Sequence, residues 1–163
     1  DDVTVDSILE QARILNYRYG INGLLIDPWN TVDHKFETGE TETNYISRML
    51  SKINAFVKLH DIHTWIISHP RKMEVSSDGV VTVPTLYDIS GSANWYNKID
   101  NGITIHRHRT HDDDYVGVYV GKIRHQYKNG KPGVAEFEYN TNTGRYKERY
   151  ERLGIERDIF RQG

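Results

Sequence analysis

The chain has no cysteine among its 163 residues. That rules out a disulfide framework and any thiolate metal centre, and with them the small secreted scaffolds that depend on either. It also lacks any apolar run near the roughly 20 residues needed to cross a bilayer. Its amino terminus, DDVTVDSILE, has neither the basic end nor the apolar centre of a signal peptide. A cytoplasmic protein with no membrane partner is the expectation. Charge of one sign is missing too: 21 Lys and Arg against 23 Asp and Glu leave a formal net charge of -2. Without a global attraction to polyanions, any nucleic acid must be met by a local basic patch. No internal repeat and no linker divide the sequence. What is present, 37% hydrophobic residues over this length, suffices for one domain with its own core.

Periodicity then orders the chain. Val5, Ile8, Ala12, Leu15 and Tyr19 fall at helical spacing behind Thr4 or Asp6 as caps and before Gly20, which predicts a helix over 5–19. GLLID, 23–27, is a short apolar run left through Pro28, and reads as a buried strand with an acid at its carboxyl end. A second helix is predicted over 42–60, with Ile46, Met49, Ile53, Phe56, Val57 and His60 on one face. IHTWIIS, 62–68, reads as another buried strand. Two successive helix-then-strand units imply a parallel sheet, and such sheets place ligand sites at the carboxyl ends of their strands. Asp27 and His69 both fall there.

Beyond, 73–88 is a loop holding Ser76, Ser77, Asp78, Gly79 and Pro84, with VVTV as a small strand or hairpin arm. GSANWYNKID, 91–100, suits a short helix, and GITIHRHR suits a third core strand. YVGVYVGKIRHQY and GVAEFEYN flank KNGKPG, whose asparagine and glycines mark a hairpin turn, so an antiparallel hairpin is expected at about 115–140. The charged tail after Gly144 admits a helix and has no obvious buried face.

Singly, each polar feature has an ordinary explanation. An aspartate ending a strand is often a turn initiator. His69 alone reads more readily as structural than catalytic, and Arg71 and Lys72 as solvating a loop. HRHRTHDDD, 106–114, looks like a metal site, but interleaved arginines and a run of acids at a turn are common in a solvated hairpin, and the metal reading is set aside. Lys122 and Arg124 read as alternating outward from a strand whose valines face inward.

In order, LLIDPWN, IISHPRK, DISGSANWYNKIDNGITIHR and VGKIRHQYKNGKPGVAEFEYNTNTGRY resemble the carboxyl-terminal half of the RecA-like ATPase domain of hexameric replicative helicases. That group includes DnaB, Twinkle and the phage helicase-primases. The resemblance assigns 1–146 to this part of the ATPase domain and leaves 147–163 as a charged tail. It implies an α/β chain with a partial RecA-like fold, a mostly parallel sheet flanked by helices and a carboxyl-terminal antiparallel hairpin. It further implies an ATP-dependent DNA helicase that, at full length, assembles into a hexameric ring on single-stranded DNA and uses ATP or another NTP with Mg2+.

Residue by residue, the resemblance makes Asp27 the Walker B acid, holding magnesium through its water shell, as suits a hard cation that keeps waters. It makes His69 the sensor of the γ-phosphate, since the ring can donate to a phosphate oxygen from the strand that launches a DNA-binding loop. Arg71 and Lys72 would then enter that loop and grip the DNA backbone. Lys122 and Arg124 match basic residues projected into a neighbouring subunit's site, Arg124 as the arginine finger, whose planar fork suits a transferring phosphoryl group. Arg107 is a further candidate nucleotide contact across that interface.

The departures are as definite. There is no GxxxxGK(S/T) phosphate loop. The chain is therefore expected to begin in the middle of an ATPase domain, to need no cofactor by itself, and to turn over no ATP alone. Two other readings stay open: a RecA-like regulatory or recombination ATPase, and a non-catalytic DNA-binding or oligomerisation module.

Overall fold

The computed structural model describes residues 2–75, 79, 81–109 and 114–149. They fall into two compact units, one formed by residues up to Met73 together with Thr85–Asp100, the other by Glu74–Pro84 and the residues from Asn101 onward. No composition shift marks these boundaries in the sequence.

The first unit opens with helix α1, Val5–Tyr19. The Thr4 hydroxyl accepts from the Ser7 N–H and the Ser7 hydroxyl accepts from the Thr4 N–H, so two amide donors at the start of the helix are satisfied reciprocally. Strand β1, Gly23–Ile26, follows, then helix α2, Glu42–His60, capped by the Thr41 hydroxyl, and strand β2, His63–Ile66. The two strands pair in parallel, Gly23 with His63 through Ile26 with Ile66, because the segment joining them contains α2 and so forms a crossover. The predicted helical limits, 5–19 and 42–60, match the structure.

The core of this unit joins Val5 of α1, Ile26 of β1, Trp29 and Val32 behind it, Tyr45, Ile46, Met49, Leu50 and Ile53 of α2, and Trp95. On α2, Phe56, Val57 and His60 are only half-buried. On α1, Leu15 and Tyr19 are exposed, because only the amino-terminal part of the helix meets the core. The strands, read from the sequence as buried, are covered on one face only. Leu24, Ile26 and Ile66 face the core while Leu25 and Trp65 are exposed, the alternation of a sheet covered on one side. Helix α3, Ser92–Lys98, completes the unit.

The second unit is an antiparallel sheet ordered β3–β4–β5–β6, with β3 Asn101–Arg109, β4 Asp114–Ile123, β5 Gly133–Asn140 and β6 Arg145–Glu148. The GITIHRHR segment is thus not a third strand of the parallel sheet: it lies in β3 and pairs antiparallel with β4. Only four residues separate those strands, too few for the crossover that parallel pairing requires. The expected hairpin is β4 and β5, though the link between them includes a helical turn, α4, Gln126–Asn129. After Gly144, Arg145–Glu148 forms β6, its Tyr146 ring lying 5.0 Å from Tyr139 on the neighbouring strand, while 150–163 of the charged tail, with the helix read there, lie outside the described residues. VVTV contributes one bridge, Val75 to Val81. Ser76, Ser77, Asp78, His111, Asp112 and Asp113 lie outside the described residues.

Candidate functional site

At the carboxyl end of the parallel pair, Asp27 is the residue after β1 and is exposed. The cross-strand hydrogen bonds continue past the regular ladder: Ile67 N–H donates to Ile26 O at 2.9 Å and Trp29 N–H donates to Ile67 O at 2.7 Å. The His69 N–H then donates to the Asn30 side-chain oxygen at 2.7 Å, and the Ser68 hydroxyl reaches the same oxygen at 3.4 Å. Asn30 therefore ties the segment after β2 to the turn after β1, and brings Asp27 and His69 to one edge. That turn, a 3-10 turn at Trp29–Thr31, is fixed by burial of Trp29, whose ring meets Trp95 edge-on at 5.3 Å. Asn30 carried no role in the sequence reading. Its only signal there was a polar side chain one turn past a strand end.

Arg71 and Lys72 lie on the outgoing segment, both exposed. The Arg71 N–H donates to Asp88 O at 2.7 Å, and its guanidinium lies 3.4 Å from the Asp88 carboxylate. That carboxylate accepts from the Thr85 N–H and hydroxyl, which with Arg71 hold its pKa below the usual carboxylate range. Asp88 was not singled out in the sequence either. Its contact with Arg71 spans 17 residues and depends on the fold.

The remaining candidates belong to the second unit. Arg107 makes a two-pronged ion pair with Asp114, 2.8 and 2.6 Å, which raises its pKa further. Lys122 and Arg124 are half-buried. Between Ile103 opposite Val120 and Gly102 opposite Lys122 the register shifts, leaving Gly121 as the extra residue of a bulge. Strict alternation would put Val120 and Lys122 on one face. The bulge puts them on opposite faces, since each shares a face with its partner and Gly102 and Ile103 are successive. Arg124 is the first residue past β4, just before the chain reverses through His125 and α4, and its carbonyl accepts from the Asn129 side chain at 3.1 Å.

Of the histidines in the motif set aside as a metal site, the described His106 and His108 belong to a ring cluster. His106 and His108 lie edge to face at 4.5 Å, His108 stacks on Tyr115 at 4.5 Å, and its Nε2 is 2.6 Å from the Tyr119 hydroxyl. Burial, then the neighbouring His108, lowers the His106 pKa. Among the described residues no group of three or more His, Cys, Asp or Glu is placed to hold a metal ion. Magnesium at Asp27 would be held by this single exposed carboxylate through its water shell, as suits a hard cation that keeps waters. Nor does any described helix have the length and apolarity to cross a membrane.

No family model matches the chain. It is 42% identical over 148 residues to the Twinkle homolog protein, chloroplastic/mitochondrial, of Arabidopsis thaliana, an alignment covering 89% of this chain and 20% of that protein. The chain thus spans about a fifth of the length of the relative it matches. Identity of this degree along nearly all of its own length, together with an α/β fold ending in an antiparallel sheet, supports a fragment of a Twinkle/DnaB-like helicase domain.

Proposed function

We propose that the full-length protein is an NTP-driven helicase, with this chain supplying part of its motor: the magnesium-side acid, the γ-phosphate sensor, DNA-backbone contacts and the cations that act across a subunit interface. The supporting observation is the edge at which the in-register ends of β1 and β2 present Asp27 and the His69 segment, tied together through Asn30. In this reading Asp27 holds Mg2+ through water, and His69 reports the γ-phosphate of ATP or another NTP to the segment that follows. Arg71 and Lys72 contact the phosphates of single-stranded DNA. Lys122 and Arg124, with Arg107 as a further contact, reach the nucleotide of the neighbouring subunit in a hexameric ring. Magnesium, held through water at Asp27, would supply positive charge against the phosphates when bound. The chain's own residues orient the nucleotide and supply the compensating positive charge.

The test uses full-length rings. An arginine acting in trans lies far from the nucleotide bound by its own subunit, so Arg124→Ala should leave nucleotide binding largely intact while turnover falls by about 10³ to 10⁵. Mixing Arg124→Ala subunits with Asp27→Ala subunits should restore part of the activity, since some interfaces then pair an intact Asp27 with an intact Arg124. Mixed rings that stay inactive while identically assembled wild-type rings work would refute the trans assignment.

A further inference from the structure

Helix α3 carries two adjacent aromatic residues with opposite fates. Trp95 is 2% exposed, packs edge-on against Trp29 and donates its indole N–H to Ser90 O at 2.9 Å. This fixes the rotation of the short helix about its axis. Tyr96, about 100° further round, is 36% exposed and lies on Tyr87, which is 50% exposed. The two rings are 4.9 Å apart and within 19° of parallel. Tyr87 is held as firmly from its own side. It belongs to a 3-10 turn, Leu86–Asp88, in which the Thr85 hydroxyl accepts from the Tyr87 N–H and Asp88 accepts from the Thr85 N–H and hydroxyl.

A large exposed aromatic pair gains little for folding from the surface it leaves in water. What it offers is a rigid π-face, bound at little entropic cost because both rings are already ordered. The surroundings indicate what binds there. The residue after Tyr87 is Asp88, whose carbonyl accepts from the Arg71 N–H and whose carboxylate touches the Arg71 guanidinium. The Arg71 side chain is 70% exposed, and Lys72 beside it is exposed. Cations that follow a backbone, set next to a stacking platform, are the combination by which single-stranded nucleic acid is held without sequence preference.

We propose that Tyr87 and Tyr96 form a base-stacking platform that takes an unpaired nucleobase of single-stranded DNA while Arg71 and Lys72 hold the adjoining phosphates. This rests on the reading of Arg71 and Lys72 as DNA contacts. Asp88 pairs with Arg71 through one contact of 3.4 Å while its carboxylate is anchored on Thr85. A phosphate can therefore displace it from Arg71 without disturbing the turn that carries Tyr87.

The experiment compares full-length protein on oligothymidylate and on an abasic sugar-phosphate oligomer of the same length and charge, at two salt concentrations. Wild type should bind the base-bearing strand about tenfold tighter. Tyr87→Leu/Tyr96→Leu should bring oligothymidylate down to the abasic level without changing abasic binding or the salt slope, and the double phenylalanine variant should restore the preference. Arg71→Ala/Lys72→Ala should weaken both oligomers and flatten the salt dependence. Equal wild-type affinity for the two strands overturns the platform but leaves the phosphate contacts standing. Loss of ring assembly in the leucine variant, with base preference retained, overturns it in favour of a subunit contact. Binding of neither oligomer overturns both readings.

Discussion

Gly91 precedes α3 at φ +69°, and a methyl group built on it would lie 2.5 Å from Cδ1 of Ile46, with Cβ and Cγ1 of the same side chain at 3.3 and 3.4 Å. Carbon atoms prefer about 3.5–4.0 Å. Ile46 is 1% exposed in the middle of the core, so it has no open space into which to retreat. Gly91→Ala therefore carries two penalties. Left-handed backbone costs a residue with a Cβ roughly 1–2 kcal/mol, and overpacking a filled core costs typically about 1–3 kcal/mol more. Gly20 isolates the first, because its φ is +67° and a Cβ there would meet nothing within 4 Å. We expect Gly20→Ala to destabilise by about 1–2 kcal/mol and Gly91→Ala by about 2–5 kcal/mol.

Urea unfolding read by tryptophan fluorescence suits the measurement, since Trp29 and Trp95 are both 2% exposed in the unit concerned. Ile46→Val removes the Cδ1 atom responsible for the worst overlap. Introduced together with Gly91→Ala, it should recover about 1 kcal/mol relative to additivity. Equal effects of the two glycine substitutions, or strict additivity in the double variant, would refute the close approach of Gly91 to Ile46. The consequence reaches the surface, because a displaced α3 moves Tyr96 off Tyr87.

Two further outcomes follow from named contacts. The Glu40 carboxyl, bonded by the Arg48 guanidinium at 2.9 and 2.6 Å, has its pKa lowered to about 2 from 4.5. Its contribution to stability is complete above about pH 4.5 and is lost as pH falls towards 2, so Glu40→Gln should lower the melting temperature at neutral pH and flatten its decline across that window. Asn30→Ala removes the acceptor of the His69 N–H, which should cost about 1 kcal/mol in urea unfolding and lower turnover by the full-length protein more than its nucleotide affinity.

What the sequence made legible was local. The limits of α1 follow from apolar spacing bracketed by Thr4 and Gly20, and those of α2 from the recurring apolar face that begins at Ile46. The placement of Asp27 and His69 at one edge follows from the crossover rule. Features that depend on distant partners were not legible. Trp95 had no reading because its burial depends on Trp29, on another element. GITIHRHR has the apolar content of a core strand, and only its pairing with β4 places it in the antiparallel sheet, where Ile103 and Ile105 are exposed. Lys122 was expected opposite the valines, although simple alternation puts Val116, Val118, Val120 and Lys122 on one side. The bulge at Gly121 is what separates Val120 from Lys122.

The same geometry ranks the cations assigned to phosphates. Arg71 and Arg107 are each held by a carboxylate, but not equally. Arg71 meets Asp88 through one 3.4 Å contact, whereas Arg107 gives two hydrogen bonds, 2.8 and 2.6 Å, to Asp114. Exposed ion pairs contribute only about 0–1 kcal/mol, so a polyphosphate can compete with either. A bidentate pair nonetheless uses the planar fork that would otherwise grip a phosphate. Recruiting Arg107 means giving up both bonds together, and its pairing with Asp114 is already explained by the β3–β4 hairpin it braces. On this ground Arg71, held by one long contact, is a stronger candidate than Arg107 for a phosphate contact.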